Sequence, residues 1–268
     1  METRAQERRA LLAGLLPHAP IVVPGVAPSA AASCARTTEA CRELAEALVT
    51  AGPARLVLIS PHAPRADVGF GVWSGARLRG DLGSFGLASA RVDLPSDPEF
   101  AAALERSAST WEIAPGALDH GAVVPLCFLV GAGWVGPTTV VGLPWQPSVA
   151  ELTEFGRKLG EVARSLPGSS ALVASGDLSH RVLPGAPAGY DPKGVQFDRR
   201  FVDLLREGRA ADVLALSEGL RRAAAEDVID ATCIVLAALG GAIPGARVLS
   251  YEHPFGVGYL VAALAGIP

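Results

Sequence analysis

Short apolar runs of strand length alternate along this chain with segments whose apolar residues follow a helical period. The pattern predicts strands at 10–16, 55–60, 68–73, 88–94, 138–143, 170–175 and 246–251, and helices at 29–51, 97–109, 122–130, 148–166, 194–207, 211–218 and 226–239. Uninterrupted apolar runs, such as 56–59 and 171–174, are typical of strands that are covered on both faces. Such strands alternating with helices predict an α/β fold: a largely parallel or mixed central sheet flanked by helices, in a single domain over residues 1–268.

Charge and composition exclude two classes of partner. A formal net charge of −4 without a basic cluster argues against nucleic acid and against a polybasic membrane contact. Residues 121–150 carry no charge, but Pro125, Pro137 and Pro144 interrupt them, so we expect no membrane span there. The four cysteines show no CxxC spacing, which favours free thiols in a reducing compartment and therefore a cytoplasmic protein.

The histidines fall at the ends of predicted elements. His18 and His62 each follow a strand within the sequence Pro-His-Ala-Pro, and His180 follows the strand at 170–175. His120 stands just before an apolar helix, and His253 follows the last predicted strand. Because the carboxyl ends of parallel strands share one edge of a sheet, we expect several of these imidazoles to meet there.

Imidazoles gathered in this way suit metal chemistry. Two neutral imidazoles and one carboxylate form the donor set of a facial iron(II) site with open positions. Further histidines, whose pKa values lie near neutrality, suit general acid–base catalysis.

Five short motifs, in collinear order over almost the whole chain, resemble the class III extradiol ring-cleavage dioxygenases, specifically the LigB-like catalytic subunit, and more distantly the Memo-like proteins. The motifs are Pro-His-Ala-Pro at 17–20, Ser-Pro-His at 60–62, Asp-His-Gly at 119–121, Val-Pro-Leu at 124–126 and Ser-Gly-Asp-Leu-Ser-His at 175–180. The resemblance implies a non-haem Fe(2+) enzyme, with Zn(2+) as the alternative metal, that opens a small aromatic diol of the catechol type with O2.

The same resemblance implies roles for particular residues. His18 and His62 are expected to bind the metal, with Glu252 as the third ligand. His120 and His180 are expected to act as acid–base groups. Apart from the resemblance, Asp177 lies three residues before His180, where a carboxylate either orients an imidazole or serves as a turn or cap residue.

The C-terminal region departs from the family pattern and leaves alternatives open. Relatives with a Glu-His motif would use His253 as the third ligand, and the Memo pattern aligns Ser250 or Tyr251 with its cysteine. A Memo-like or zinc-binding member of the fold without dioxygenase activity is one rival interpretation. A zinc-dependent hydrolase is a second rival, but the sequence contains no HExxH motif that would support it. A non-catalytic subunit of a larger assembly is a third, but no coiled coil or charged tail supports it. Homo-oligomerisation is left open.

Overall fold

The computed structural model describes residues 11–267, so Ala10, the first residue of the predicted first strand, lies outside the described part. The strands are β1 (Leu11–Leu16), β2 (Arg55–Ser60), β3 (Phe70–Trp73), β4 (Arg77–Leu82), β5 (Leu87–Pro95), β6 (Thr110–Ile113), β7 (Thr138–Gly142), β8 (Ser170–Ser175), β9 (Arg247–Glu252) and β10 (Tyr259–Ala265). The helices are α1 (Ala35–Thr50), α2 (Pro98–Ser107), α3 (His120–Gly131), α4 (Val149–Ser165), α5 (Pro192–Arg206), α6 (Ala210–Leu214), α7 (Glu218–Ala224) and α8 (Ile229–Ala238).

Eight of these strands form one mixed sheet in the order β6-β3-β7-β2-β8-β1-β10-β9. Its centre is parallel, because β8 pairs in parallel with both β1 and β2, and β2 pairs in parallel with β7. Every residue of β1, β2 and β8 is buried, as the uninterrupted apolar runs predicted. Helices α4 and α8 cover one face, and α1 and α3 cover the other. The predicted α/β class is therefore confirmed.

The antiparallel strands at one side of the sheet were not all predicted. β10 was missed: its Ala-rich apolar sequence does not distinguish strand from helix, and antiparallel pairing with β1 and β9 decides its structure. β6 and β4 were missed as well. β6 is a four-residue strand that pairs in parallel with β3 at the opposite edge of the sheet, and β4 pairs with β5 in a hairpin that lies outside the main sheet.

The start of α8 differs from the prediction in a way that matters for function. The sequence predicts a helix from residue 226, but α8 begins at Ile229. Ala225 adopts a left-handed φ of 52°, and the Glu226 carboxylate accepts a hydrogen bond from the Ile229 amide at 2.8 Å. Asp227 is therefore held outside the helix, in the turn that precedes it.

Among residues 11–267, no helix combines the length and the apolar character needed to cross a membrane.

Candidate metal centre

Three histidines converge at the carboxyl edge of the parallel strands. His18 follows β1, His62 follows β2, and His120 is the first residue of α3. A ring nitrogen of each lies within 4.8 Å of one from the other two. Strands β1 and β2 lie on either side of β8 and run parallel to it, so they end at the same edge of the sheet. Motifs 44 residues apart thereby bring the Nε2 atoms of His18 and His62 to 3.0 Å.

Asp227 completes this cluster. Its Oδ2 atom lies 3.2 Å from Nε2 of His18 and 3.3 Å from Nε2 of His62. The two nitrogens and this oxygen form a nearly equilateral triangle. Donor atoms about 2.1 Å from a metal and about 90° apart lie about 3 Å from one another, so the triangle has the dimensions of one face of an octahedral site.

The hydrogen bonding of His18 leaves the correct nitrogen free for a metal. The Ser175 hydroxyl donates to the Gly121 carbonyl at 2.6 Å, so its oxygen is available to accept from Nδ1 of His18, 3.1 Å away. This network places a proton on Nδ1, so Nε2, which faces His62 and Asp227, is the nitrogen that would offer its lone pair when a metal replaces a proton there. Metal-binding histidines characteristically donate their second ring N–H in this way.

Buried Asp177 is hydrogen-bonded to two members of the cluster, His18 and Asp227. Oδ1 of Asp177 accepts the His18 amide at 3.0 Å, and the Asp177 amide donates to Oδ1 of Asp227 at 2.8 Å. Asp177 therefore positions His18 and Asp227. The sequence alone indicated that it could orient an imidazole, without identifying which one.

The electrostatics of the cluster favour a bound cation. Burial alone would lower the pKa of His18, but the carboxylates of Asp227 and Asp177 outweigh burial and raise it to about 9. Burial likewise opposes the charge of Asp227, but His18 outweighs it and holds the pKa of Asp227 well below its usual range. The carboxylates thus retain a proton on His18, and a divalent ion bound here would replace that proton.

His120 has a different electrostatic character. Asp119 caps α3 by accepting the Ala122 amide at 3.1 Å, and it also accepts the Ser60 hydroxyl at 2.6 Å, which fixes the start of the helix against β2. Burial, followed by the charges of His62 and His18, lowers the pKa of His120 to about 4. His120 is therefore a neutral imidazole at physiological pH.

His180 lies on the segment after β8, outside the group of three rings. Its amide donates to the carbonyl of Ala224 at 3.0 Å, which ties this segment to the turn that carries Asp227. It interacts electrostatically with both Asp177 and Asp227. Its Nδ1 atom is buried and has no hydrogen-bond partner among the described residues.

The sequence matches the family described as the catalytic LigB subunit of aromatic ring-opening dioxygenase, over residues 12–262. The chain belongs to the LigB family. It is also 27% identical to Protein CA_C1420 of Clostridium acetobutylicum, over 93% of this chain but 56% of that protein, so it spans about half the length of this curated relative. A solved structure titled uncharacterized protein JW3007, from Escherichia coli K12, shares the fold at a TM-score of 0.63 and 17% identity, covering 95% of this chain and 100% of that one.

Glu252, the third ligand implied by the family resemblance, is not brought to this LigB centre. One carboxylate oxygen accepts from the amide and hydroxyl of Thr37 at 2.9 and 2.8 Å, and the other pairs with Arg36 at 3.2 Å. Glu252 therefore caps the N-terminus of α1, where a carboxylate satisfies free amides and the helix dipole. The alternative ligand His253 is likewise absent from the metal-binding group, and its ring lies 5.6 Å from that of Tyr251.

Asp227 is the residue of this cluster that sequence reasoning missed. It follows Ala-Ala-Glu and precedes an apolar helix, and an acidic residue in that position is typical of an ordinary helix start. No strand end, glycine or proline marks it. Only the hydrogen bonds between its turn and the segment after β8 bring it to the histidines.

Proposed function

We propose that this LigB-family protein is a non-haem iron(II)-dependent extradiol dioxygenase that opens a catechol-type ring, with His18, His62 and Asp227 as the metal ligands. The observation that carries the proposal is the donor triangle, with sides of 3.0, 3.2 and 3.3 Å. Two imidazoles and one carboxylate on one face leave the opposite positions open. Bound ferrous iron would supply Lewis acidity and the redox chemistry of dioxygen activation.

The burial of the three ligands supports access from one side. The His18 side chain is 2% exposed, whereas those of His62 and Asp227 are 36% and 22% exposed. A small planar diol can therefore approach from the side of His62 and His120, while His18 is enclosed by the protein. Exclusion of water on the buried side strengthens the electrostatic interactions of the site.

Two histidines outside the proposed ligand set can transfer protons. His180, which interacts electrostatically with Asp177 and Asp227, would accept the proton of a substrate hydroxyl. His120 is neutral, so it can donate one hydrogen bond and accept one beside the ring that is attacked. Their different environments suit them to different proton transfers.

The test is anaerobic loading of the chelator-treated protein with ferrous iron, followed by oxygen uptake with a panel of catechols. We expect oxygen consumption matched by loss of the catechol and appearance of a ring-opened product. His62→Ala provides the control that lacks a proposed ligand. Full iron occupancy without oxygen uptake on any catechol would contradict the dioxygenase assignment.

A second function, zinc binding without ring opening, is favoured by one observation. His120 adds a third imidazole within 4.8 Å, and three histidines are a familiar donor set for zinc. Metal analysis of protein purified anaerobically without chelator distinguishes the two. Zinc retained by wild type and lost from His120→Ala would support this alternative.

A further inference from the structure

An exposed aromatic side chain stands beside the histidine cluster. Phe85 is 40% exposed, and its ring centroid lies 5.5 Å from that of His120, with the two ring planes inclined at 58°. It occupies the last position of the 3-10 turn Gly83–Phe85, at the tip of the β4–β5 hairpin. The hairpin thus brings an apolar ring to the open side of the proposed metal centre.

The hairpin is fixed against the same segment that carries His120. The Leu118 amide donates to the carbonyl of Arg79 at 2.7 Å, two residues before His120. A Cβ added to Gly80 would come within 2.6 Å of the Val123 side chain. Only a glycine at this position therefore lets β4 pack so closely on α3. Leu82, just before the tip, is fully buried. The distance between Phe85 and His120 is therefore set by packing of the hairpin on α3.

The turn itself directs Phe85 outward. Gly86, the next residue, has a left-handed φ of 85°, a conformation that glycine adopts without strain, and it reverses the chain directly after the aromatic residue. The following Leu87 packs under the loop after β1, where a Cβ on Gly25 would lie 3.2 Å from its side chain. The hairpin tip is thus held from both sides, and the Phe85 ring remains partly open to solvent.

We propose that Phe85 is the apolar wall against which the aromatic ring of the substrate stacks while its two oxygens approach the metal. This inference rests on the proposed function and adds a specificity-determining residue to it. A planar ring lying against the exposed part of Phe85, beside His120, would cover the exposed phenyl surface, and aromatic pairs prefer such offset or edge-to-face contacts at centroid distances of about 4.5–7 Å. Bidentate ligands without a ring would reach the metal but gain nothing from Phe85.

The experiment compares two probes on zinc-loaded protein, where binding is measured without turnover. The aromatic probe is 4-nitrocatechol, whose absorbance changes on ionisation, and the non-aromatic bidentate probe is acetohydroxamate. We expect Phe85→Ala to weaken 4-nitrocatechol binding about tenfold, to leave acetohydroxamate binding unchanged, and to keep the zinc content of wild type. Phe85→Tyr should restore tight 4-nitrocatechol binding, and Val135→Ala, at a distant exposed apolar residue, should match wild type.

The outcomes separate this inference from the proposed function. Equal binding of 4-nitrocatechol by wild type and Phe85→Ala overturns the stacking role and leaves the proposed function intact. Equal weakening of both probes, or loss of zinc, shows that Phe85 supports the metal centre instead, and also overturns it. If zinc-loaded wild type binds neither 4-nitrocatechol nor acetohydroxamate, the proposed function is contradicted, and so is the stacking role of Phe85.

Discussion

Oδ2 of Asp227 lies 3.2 Å from Nε2 of His18, although the two residues stand near opposite ends of the chain. The Asp227 turn reaches this position because the Asp177 amide donates to its Oδ1 atom, while the Asp227 amide donates back to the Asp177 carbonyl at 3.3 Å. These reciprocal hydrogen bonds leave Oδ2 free to face the two imidazoles. A carboxylate fixed in this way would bind a metal without the loss of conformational entropy that ordering its side chain would otherwise cost.

Asp227→Asn should weaken metal binding at least tenfold while Glu252→Gln leaves it unchanged. The asparagine keeps an oxygen for the Asp177 amide but loses the negative charge that favours a cation. Altering groups that merely support a metal ligand costs about 10–100-fold in affinity, so altering a ligand should cost no less. Competition with a chromophoric chelator measures the affinity.

Glu252→Gln serves as the matched control at a second partly buried carboxylate. Loss of its charge at the start of α1 should lower the free energy of unfolding by about 1 kcal/mol, seen as a decrease in the melting temperature of the metal-free protein. Weaker metal binding in Glu252→Gln, with normal binding in Asp227→Asn, would reverse the assignment.

Ser175→Ala should reduce metal affinity through the tautomer of His18. The serine oxygen lies 3.1 Å from Nδ1, and its removal leaves that N–H unpaired in a buried environment. We expect a loss of about 10–100-fold in metal affinity, with nitrogen-15 NMR of the histidine ring reporting the tautomer. Ser74→Ala, which removes a hydroxyl that donates to the Ile113 carbonyl at 2.9 Å, provides a control away from the centre. An unchanged affinity and tautomer in Ser175→Ala would contradict the orienting role.

His180→Gln and His120→Gln should retain iron but lose turnover. Neither belongs to the proposed donor triangle, and general acid–base groups contribute about 10²–10⁴-fold to rate. The measurement is kcat for oxygen uptake at full iron occupancy, determined from a metal assay of the same samples. Iron loss in His120→Gln would move that residue into the ligand set, and normal turnover in both variants would remove their catalytic roles.

Asp198→Asn should change how stability depends on pH. Burial raises the pKa of Asp198 to about 7, although the Ser179 amide and the Tyr251 hydroxyl both donate to its carboxylate. Its pKa in an unfolded chain is about 3.9, so between these values the folded protein binds the extra proton. The contribution of Asp198 to stability is thus complete below pH about 4 and is lost as the pH rises through about 7.

Denaturant unfolding at pH 5 and pH 8 tests this relationship. Relative to wild type, Asp198→Asn should gain stability as the pH rises, by at most about 4 kcal/mol over the whole range. Asp203→Asn, at a half-exposed carboxylate on the same helix, should show no such gain. Parallel pH profiles for wild type and Asp198→Asn would contradict the raised pKa.

The pattern of apolar residues determined much of the fold and part of the site. Continuous apolar runs can be buried only between two layers, so β1, β2 and β8 were predictable as central parallel strands. A motif that directly follows such a strand must lie at its carboxyl edge, and this local rule was sufficient to bring His18 and His62 together. It worked because strand direction and motif position are both local properties of the sequence.

Tertiary structure alone decided which carboxylate, Asp227 or Glu252, lies beside the histidines. Glu252 also follows a predicted strand, yet the pairing of β9 with β10 places it beside the first turn of α1, whose free amides bind it. Asp227 follows no strand and reaches the histidines only through hydrogen bonds with the Asp177 segment. A carboxylate binds whichever buried donors the packing brings to it, and those donors come from parts of the chain that no local pattern connects.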